Sequence, residues 1–250
     1  MMWVAGPRAL YLQALHPRVI RGFTQNSDYR NGTWQRLVRT ARYVGCTTFG
    51  SVEEAHRVAA RIRGIHERLT AVDPDTGESY RLDQHDLLLW VHCCEIDSYL
   101  SVTRRAGLRL SAAAADRYVD EQRWRAWLIG IDPKAAPSST AELAAFFTAA
   151  RPSLAATQEA RDAARFVVLP PMPLVLNFTA VRPGWASVGA VAYASLPAWA
   201  RELYGLRTPT PAMGVTAALH AMRVAAFTVP RPLREGKYRR AARQRLAAAK

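Results

Sequence analysis

The chain has 250 residues, of which 50% are hydrophobic and 22% are charged, so it can bury a core without disulfides or metals. This composition excludes a disordered chain, a collagen-like repeat and a disulfide-stabilised mini-protein. The 34 Lys and Arg against 20 Asp and Glu give a net charge of +14, which raises nucleic acid or an anionic membrane as partner.

Helix signals dominate the first two thirds of the chain. Ala, Leu and Arg are dense and runs of β-branched residues are scarce, which favours helices over strands. Ser51 and Ser111 each stand before an amphipathic run, where a hydroxyl side chain acts as an N-cap. The predicted helices cover residues 5–15, 16–25, 33–45, 51–70, 84–106, 111–129, 140–149 and 152–166.

Strand signals are confined to short pieces such as 167–169, which the prolines at 170, 171 and 173 end. This Pro-rich stretch is either a domain boundary or a rigid corner. We favour the corner, because the helical segments beyond it, near 186–195, 197–205 and 210–226, have too few long apolar faces for a second core. The sequence therefore predicts an all-α, single multi-helix domain over 1–233, followed by a basic C-terminal helix or tail over 234–250.

Half of the excess positive charge lies between residues 231 and 250, in that tail and just before it. Between Arg231 and Lys250 there are eight basic residues against one acid, Glu235. A basic terminal helix is more often a solvated end than a binding arm, although peripheral membrane contact through the tail stays open as an alternative. No aromatic ladder, zinc-knuckle spacing or helix-turn-helix signature accompanies the charge, so nucleic acid is not expected as a partner.

The cysteines and the apolar stretches indicate a cytoplasmic protein. Cys46 and the adjacent Cys93 and Cys94 make no disulfide framework, which favours a reducing compartment. The first residues lack the pattern of a signal peptide. The longest uncharged stretch, 183–200, is interrupted by two glycines and a proline and falls short of a membrane-spanning helix.

Residues 34–43 place an unusual set of side chains on one helix face. Arg36, Arg39, Thr40 and Tyr43 follow an i, i+3, i+4, i+7 spacing, so two guanidiniums, a hydroxyl and a phenol share that face. A solvated face explains arginines equally well, but such faces usually include acids, and none occurs between Tyr29 and Ser51. The spacing alone leaves both interpretations open.

Two histidines, His66 and His92, lie in predicted helices. His66 lies near the end of the predicted helix 51–70, and His92 lies in the most apolar helix of the chain. A helical histidine is more often a packing residue than a metal ligand, although imidazole suits iron, copper and zinc. Neither a paired Glu-x-x-His set for a di-iron site nor a Cys-x-x-Cys zinc pattern is present.

Five segments together resemble a known family: residues 6–17, GPRALYLQALHP; Arg36-x-x-Arg39-Thr40-Ala41-Arg42-Tyr43; Thr48-Phe49-Gly50; Ile65-His66; and Leu89-Trp90-Val91-His92. In order and spacing they resemble the catalytic domain of the rubber oxygenases and mpaB-type oxygenases. The similarity extends to Arg201-Glu202-Leu203-Tyr204-Gly205-Leu206 and to Arg234-Glu235-Gly236-x-Tyr238-Arg239, and so spans essentially the whole chain.

The resemblance implies an all-helical fold that holds a b-type haem and activates dioxygen. By this similarity His66 is the proximal iron ligand, Arg36 holds a propionate or shapes the distal pocket, and Thr40 donates a hydrogen bond to dioxygen. Arg39, Thr40 and His16 are the implied catalytic residues. Arg36, Tyr43 and His92 complete the expected cofactor contacts with Arg39, Thr40 and His66.

One departure from the family pattern concerns Arg39, which replaces a lysine of the rubber-cleaving relatives. A guanidinium has no lone pair for iron, so the resemblance implies a sixth position that is open, held by water or taken by another side chain. The acid that relatives use for proton abstraction is not evident near His16. The expected function is a haem-dependent oxygenase acting on a small apolar metabolite, and the alternative is a non-catalytic haem-binding or sensing protein.

Overall fold

A computed structural model of the chain describes residues 1–27, 29–172, 174–205, 211–231 and 235–248, and for 29–37, 176 and 177 it describes the backbone alone. The helices are α1 (Met2–Gln13), α2 (Pro17–Asn26), α3 (Tyr29–Phe49), α4 (Val52–His66), α5 (His85–Arg105), α6 (Ala112–Leu128), α7 (Thr140–Ala150), α8 (Gln158–Val168), α9 (Leu174–Asn177), α10 (Val181–Ala194), α11 (Ala198–Tyr204), α12 (Ala212–Thr228) and α13 (Lys237–Ala248). The all-α prediction is confirmed. The predicted boundary between 233 and 234 falls outside the described residues.

The two predicted N-caps are confirmed. The Ser51 hydroxyl accepts from the Glu54 backbone N–H at 3.1 Å, while Ser51 N–H donates to the Glu54 carboxylate at 2.8 Å, which completes a capping box. Ser111 caps α6 in the same way through Ala114 N–H, at 3.1 Å. These side chains satisfy N–H groups that have no partner within the helix.

The predicted strand at 167–169 is wrong. Residues 167 and 168 are the last turn of α8, because the amphipathic run that begins behind the Thr157 cap continues as helix until a proline intervenes. Leu169 precedes Pro170, whose ring disfavours the helical conformation of the preceding residue. The helix therefore ends where the strand was expected.

A short β-hairpin was not predicted. Strands β1 (Thr70–Val72) and β2 (Ser79–Arg81) pair antiparallel, and the predicted helix 51–70 ends earlier, at His66. Two amides of α2 hold the open edge of β1. Gln25 Nε2 donates to Val72 O at 2.7 Å and Gln25 Oε1 accepts from Val72 N–H at 2.9 Å, while Asn26 Nδ2 donates to Thr70 O at 2.7 Å.

Helix α1 lies at the centre of the fold and packs against both α5 and α10. Its one buried cation, Arg8, donates to the Asp97 carboxylate and to the Ser98 hydroxyl of α5, both at 2.7 Å. Gln13 Nε2 donates to Val91 O at 3.2 Å, so polar bonds join α1 to α5 at both ends of their contact. An apolar core built mainly from α1, α5, α8, α10 and α11 surrounds them.

Close backbone approach brings α10 onto α8. A Cβ on Gly189 would lie 2.9 Å from Val168 Cα, a distance that only glycine permits without displacement. The phenol of Tyr11 donates to Gly189 O at 3.2 Å. The small residue therefore fixes how near the last turn of α8 lies to α10.

The basic C-terminal helix, α13, packs against α3. Arg245 donates to Phe49 O at 2.6 Å, and Arg243 pairs with Glu235 at 2.9 Å. Helix α13 is therefore held to α3 through Arg245, while Arg243 pairs with a residue just before the helix begins.

The three cysteines, Cys46, Cys93 and Cys94, are free and buried. Burial raises the pKa of the Cys93 thiol to about 12 and that of Cys94 well above its usual value. Among the described residues no helix has the length and apolar character needed to cross a membrane.

Candidate active site

A large cavity lies beside α1. Its empty volume is about 1230 Å³, part of which is open to solvent. Four helices give it an almost entirely apolar wall: Leu10 and Ala14 from α1, Val19, Ile20 and Phe23 from α2, Phe166 and Val167 from α8, and Trp185 from α10. A concave, apolar space is typical of a site for a small lipophilic molecule or a cofactor.

The mouth of the cavity is formed by exposed lining residues. Met2 and Trp3, at the start of α1, and Thr40 on α3 all line the cavity and are exposed. The Trp3 ring stands edge-on to that of Trp185, with centroids 6.1 Å apart. The mouth of the cavity therefore presents the Trp3 ring and Thr40 to an entering molecule.

One part of the wall is polar, and the sequence analysis missed it. Glu95 and Tyr99 of α5 line the cavity. Arg125 of α6 donates from Nη2 to Glu95 Oε2 at 3.1 Å, and both side chains are mostly buried. The sequence signal was available, since Glu95 is one turn beyond His92 in an otherwise apolar helix. A carboxylate thus faces an apolar space that also contains Thr40.

Three phenols surround the Glu95–Arg125 pair. Tyr43, Tyr99 and Tyr118 each lie close enough to both groups to interact with them electrostatically. Burial raises the pKa of Tyr43 and that of Tyr118 to about 12, and it raises the pKa of Tyr99 above its usual value. All three phenols therefore remain neutral near pH 7, and the ion pair carries the charge of the cluster.

The structure separates the predicted residues of α3. Thr40 lines the cavity, whereas Arg39 is exposed and is not part of the lining. Tyr43 lies in the cluster around Glu95 and Arg125. The side chain of Arg36 lies outside the described residues.

His66 ends α4 and is half-buried. Tyr43 of α3 lies near Arg63 of α4, and the two helices pack against each other. His66 lies near Asp83, which follows β2, and acts electrostatically on its carboxyl group. His66 itself is not among the cavity-lining residues.

His92 and His16 lie elsewhere. His92 is buried against the backbone of Gln122 on α6, and burial, reinforced by the nearby Arg125, lowers its pKa to about 3. His16 is the N-cap residue of α2, its ring centroid is 6.1 Å from that of Trp90, and burial lowers its pKa. Neither histidine lines the cavity, so the structure does not bring the three predicted histidines together.

The apolar wall of the cavity and the arginine beside it suit a haem, whereas the lining residues include no imidazole. Within the part of the chain that the structure describes, no three His, Cys, Asp or Glu side chains cluster as a metal site. A haem needs one axial side chain rather than such a cluster, and the candidate, His66, lies at the end of α4, outside the lining. The exposed guanidinium of Arg39 suits a propionate, and the adjacent cavity supplies apolar surroundings.

Comparison with known proteins gives one match. The family model of the catalytic domain of ER-bound oxygenase mpaB/B′ and rubber oxygenase matches residues 1–228. The match covers nearly the whole chain and confirms the resemblance seen in the sequence motifs. No curated protein and no solved structure matches the chain.

Proposed function

Because the chain belongs to the family of mpaB and rubber oxygenase catalytic domains, we propose that it is a haem b-dependent oxygenase acting on a small apolar metabolite. The family supports an oxygenase-type activity. The observation that carries the finer proposal is the apolar cavity, whose wall combines the hydroxyl of Thr40 with the carboxylate of Glu95. Dioxygen and a lipophilic substrate both favour such a space over water. The three free, buried thiols support a reducing setting, the cytoplasm.

In this proposal, His66 would hold the haem iron, and the arginines of α3, Arg36 and Arg39, would pair with its propionates. When bound, the haem supplies the activation of dioxygen. Thr40 lies in the cavity wall, where its hydroxyl donates a hydrogen bond to dioxygen. Tyr43 supports α3 from behind through the polar cluster, and His92 and His16 serve packing rather than ligation.

Glu95 takes the acid–base role for which the sequence offered no acid near His16. Arg125 binds Glu95 Oε2 at 3.1 Å, which leaves Oε1 to accept a proton from a substrate in the cavity. The ion pair with Arg125 holds this carboxylate in place at the cavity wall.

Haem binding tests the first part of the proposal. Titration of the purified protein with haemin should give a Soret band that saturates at one haem per chain. His66→Ala should weaken haem binding on the order of a hundredfold or more, because it removes a strong protein-to-iron bond, and His92→Ala should retain haem. A variant His66→Gly that regains the band with added imidazole would show that the loss is local rather than a folding defect. A wild-type protein that binds no haemin would overturn the proposal.

Oxygen consumption tests the role of Glu95. In the haemin-loaded protein with a set of monoterpene alkenes and alcohols, Glu95→Gln should lower substrate-dependent dioxygen uptake about 10²- to 10⁴-fold while leaving haem affinity unchanged. Glu121→Gln, an exposed acid on α6, is the matched control and should match the wild type. Haem binding without any dioxygen uptake would favour the alternative function, a haem-binding or sensing protein.

A further inference from the structure

Exposed apolar side chains are concentrated in the corner between α8 and α10. Phe178 is 86% exposed, and it follows the four-residue helix α9. Leu174, Val175 and Val181 are exposed beside it. A cluster of this kind on a protein surface usually marks a contact with a partner or a membrane.

This corner is continuous with the mouth of the cavity. Val181 begins α10 and stands one helical turn before Trp185, so the two residues share a helix face. Trp185 packs edge-on against Trp3, with ring centroids 6.1 Å apart. Trp3 is exposed and lines the cavity, so the apolar surface extends from Phe178 to the opening.

The end of α12 flanks the opening with both apolar and cationic groups. Phe227 is 61% exposed, and the Arg223 guanidinium lies 5.7 Å from the centroid of its ring. Arg223 and the exposed Arg239 of α13 both act on the Met1 amine, whose pKa is lowered by burial and by these two cations. Positive charge therefore accompanies the exposed apolar residues around the start of α1.

The positive charge of the protein indicates which binding partner suits this surface. Two copies of a chain with a net charge of +14 repel each other, which disfavours pairing through a face that also carries cations. A bilayer with anionic lipids complements both features, because apolar side chains insert below the headgroups while arginines bind the negative surface. No described helix crosses a membrane, so such contact is peripheral.

We propose that the face formed by Leu174, Val175, Phe178, Trp3 and Phe227 docks on an anionic lipid bilayer and opens the cavity toward the lipid phase. A lipophilic substrate then reaches the cavity without passing through water. The docking itself does not depend on haem or on turnover. Only the route of the substrate rests on the proposed function.

Vesicle binding tests the proposal. The full chain, with and without haemin, is sedimented with vesicles of phosphatidylcholine alone or mixed with phosphatidylglycerol. We expect binding to the mixed vesicles that weakens as salt is raised, and weaker binding to phosphatidylcholine alone. Phe178→Ser combined with Phe227→Ser should reduce the partition coefficient about tenfold or more, because two apolar side chains no longer leave water.

A matched control is available elsewhere on the surface. Met213, at the opposite end of α12, and Trp124, on α6, are 84% and 56% exposed, close to the values for Phe178 and Phe227. Met213→Ser combined with Trp124→Ser should leave vesicle binding unchanged. The proposal is overturned if the wild type ignores both vesicles, or if the control pair weakens binding as much. It is also overturned if sedimentation velocity without lipid shows a dimer that Phe178→Ser and Phe227→Ser abolish, which would assign the face to a second copy.

Discussion

The cavity has two unlike walls. The wall built by α1, α2, α8 and α10 is apolar and is held by close packing, with Gly189 allowing α10 to approach Val168. The wall built by α5, with α3 and α6 behind it, contains Glu95 in a mostly buried ion pair with Arg125. The first wall is suited to binding a lipophilic molecule, and the second places a reactive group against it.

The contrast between the two walls indicates that substitutions in them lower the stability of the protein by different amounts. A packed apolar wall loses stability in proportion to the volume that no longer fits. A buried ion pair contributes little net stability when intact, but losing one partner leaves a desolvated charge. The polar wall should therefore be the more sensitive to single substitutions, although fewer residues form it.

Arg125→Met should produce the largest effect. It leaves the Glu95 carboxylate without its partner in the cavity wall, and breaking such a pair lowers the free energy of unfolding by about 3–5 kcal/mol. Urea denaturation followed by circular dichroism measures the loss. Adding Glu95→Gln to Arg125→Met should restore part of it, because the unpaired charge is removed.

Arg117→Met, at an exposed position of α6, is the matched control and should stay within about 0.5 kcal/mol of the wild type. An Arg125→Met protein as stable as this control would mean that water solvates Glu95, and the contrast between the two walls would be lost.

Gly189→Ala should produce an intermediate effect on the apolar wall. Its Cβ would lie 2.9 Å from Val168 Cα, so α8 and α10 must separate, at a cost of about 1–3 kcal/mol. Gly184→Ala is the control on the same helix, where a Cβ meets nothing within 4 Å. Since alanine favours a helix over glycine by up to about 1 kcal/mol, Gly184→Ala should raise the melting temperature while Gly189→Ala lowers it. Equal shifts in the two variants would contradict the close approach.

Near pH 7 the titration of His92, behind the polar wall, has the smallest expected effect, and it grows only as the pH is lowered. Its pKa is about 3 in the folded protein and about 6.5 in the unfolded chain, so the unfolded chain binds the proton first. Stability is therefore retained above pH 6.5 and falls as the pH drops toward 3, by about 1.4 kcal/mol per pH unit for one proton. Urea titrations between these pH values should show a shallower slope for His92→Gln. His85→Gln, at an exposed position, controls for the loss of an imidazole. If the free energy of unfolding of His92→Gln depends on pH as steeply as that of the wild type, His92 does not cause the effect.

The helices were predictable because their signals are local. The Ser51 cap and the Glu54 side chain that completes it stand three residues apart, and amphipathic runs follow them. The β-hairpin was missed because its strands have three residues each and its edge is held by Gln25, which is 47 residues from Val72. No window of sequence around the strands contains that information.

The same distinction between local and long-range signals applies to the residues of the candidate site. The spacing within α3 left the role of Thr40 open and the family resemblance assigned it one, and Thr40 lines the cavity. Glu95 escaped notice because its role depends on space enclosed by α1, α2 and α8 and on Arg125, 30 residues away. The histidines were marked by composition and family resemblance, neither of which fixes what surrounds them, and none of His16, His66 and His92 is among the residues that line the cavity.

The adjacent thiols of α5 have a practical consequence for kinetics. Thiolates react with alkylating reagents and thiols do not, so Cys93 and Cys94, with their raised pKa values, should be labelled only when the surrounding helices open. The rate of labelling by iodoacetamide therefore follows the opening of the core that packs on α1. Because Cys93 and Cys94 belong to the natural sequence, no cysteine has to be introduced. Their labelling rates can therefore be compared between the ligand-free and ligand-bound forms as a measure of local unfolding.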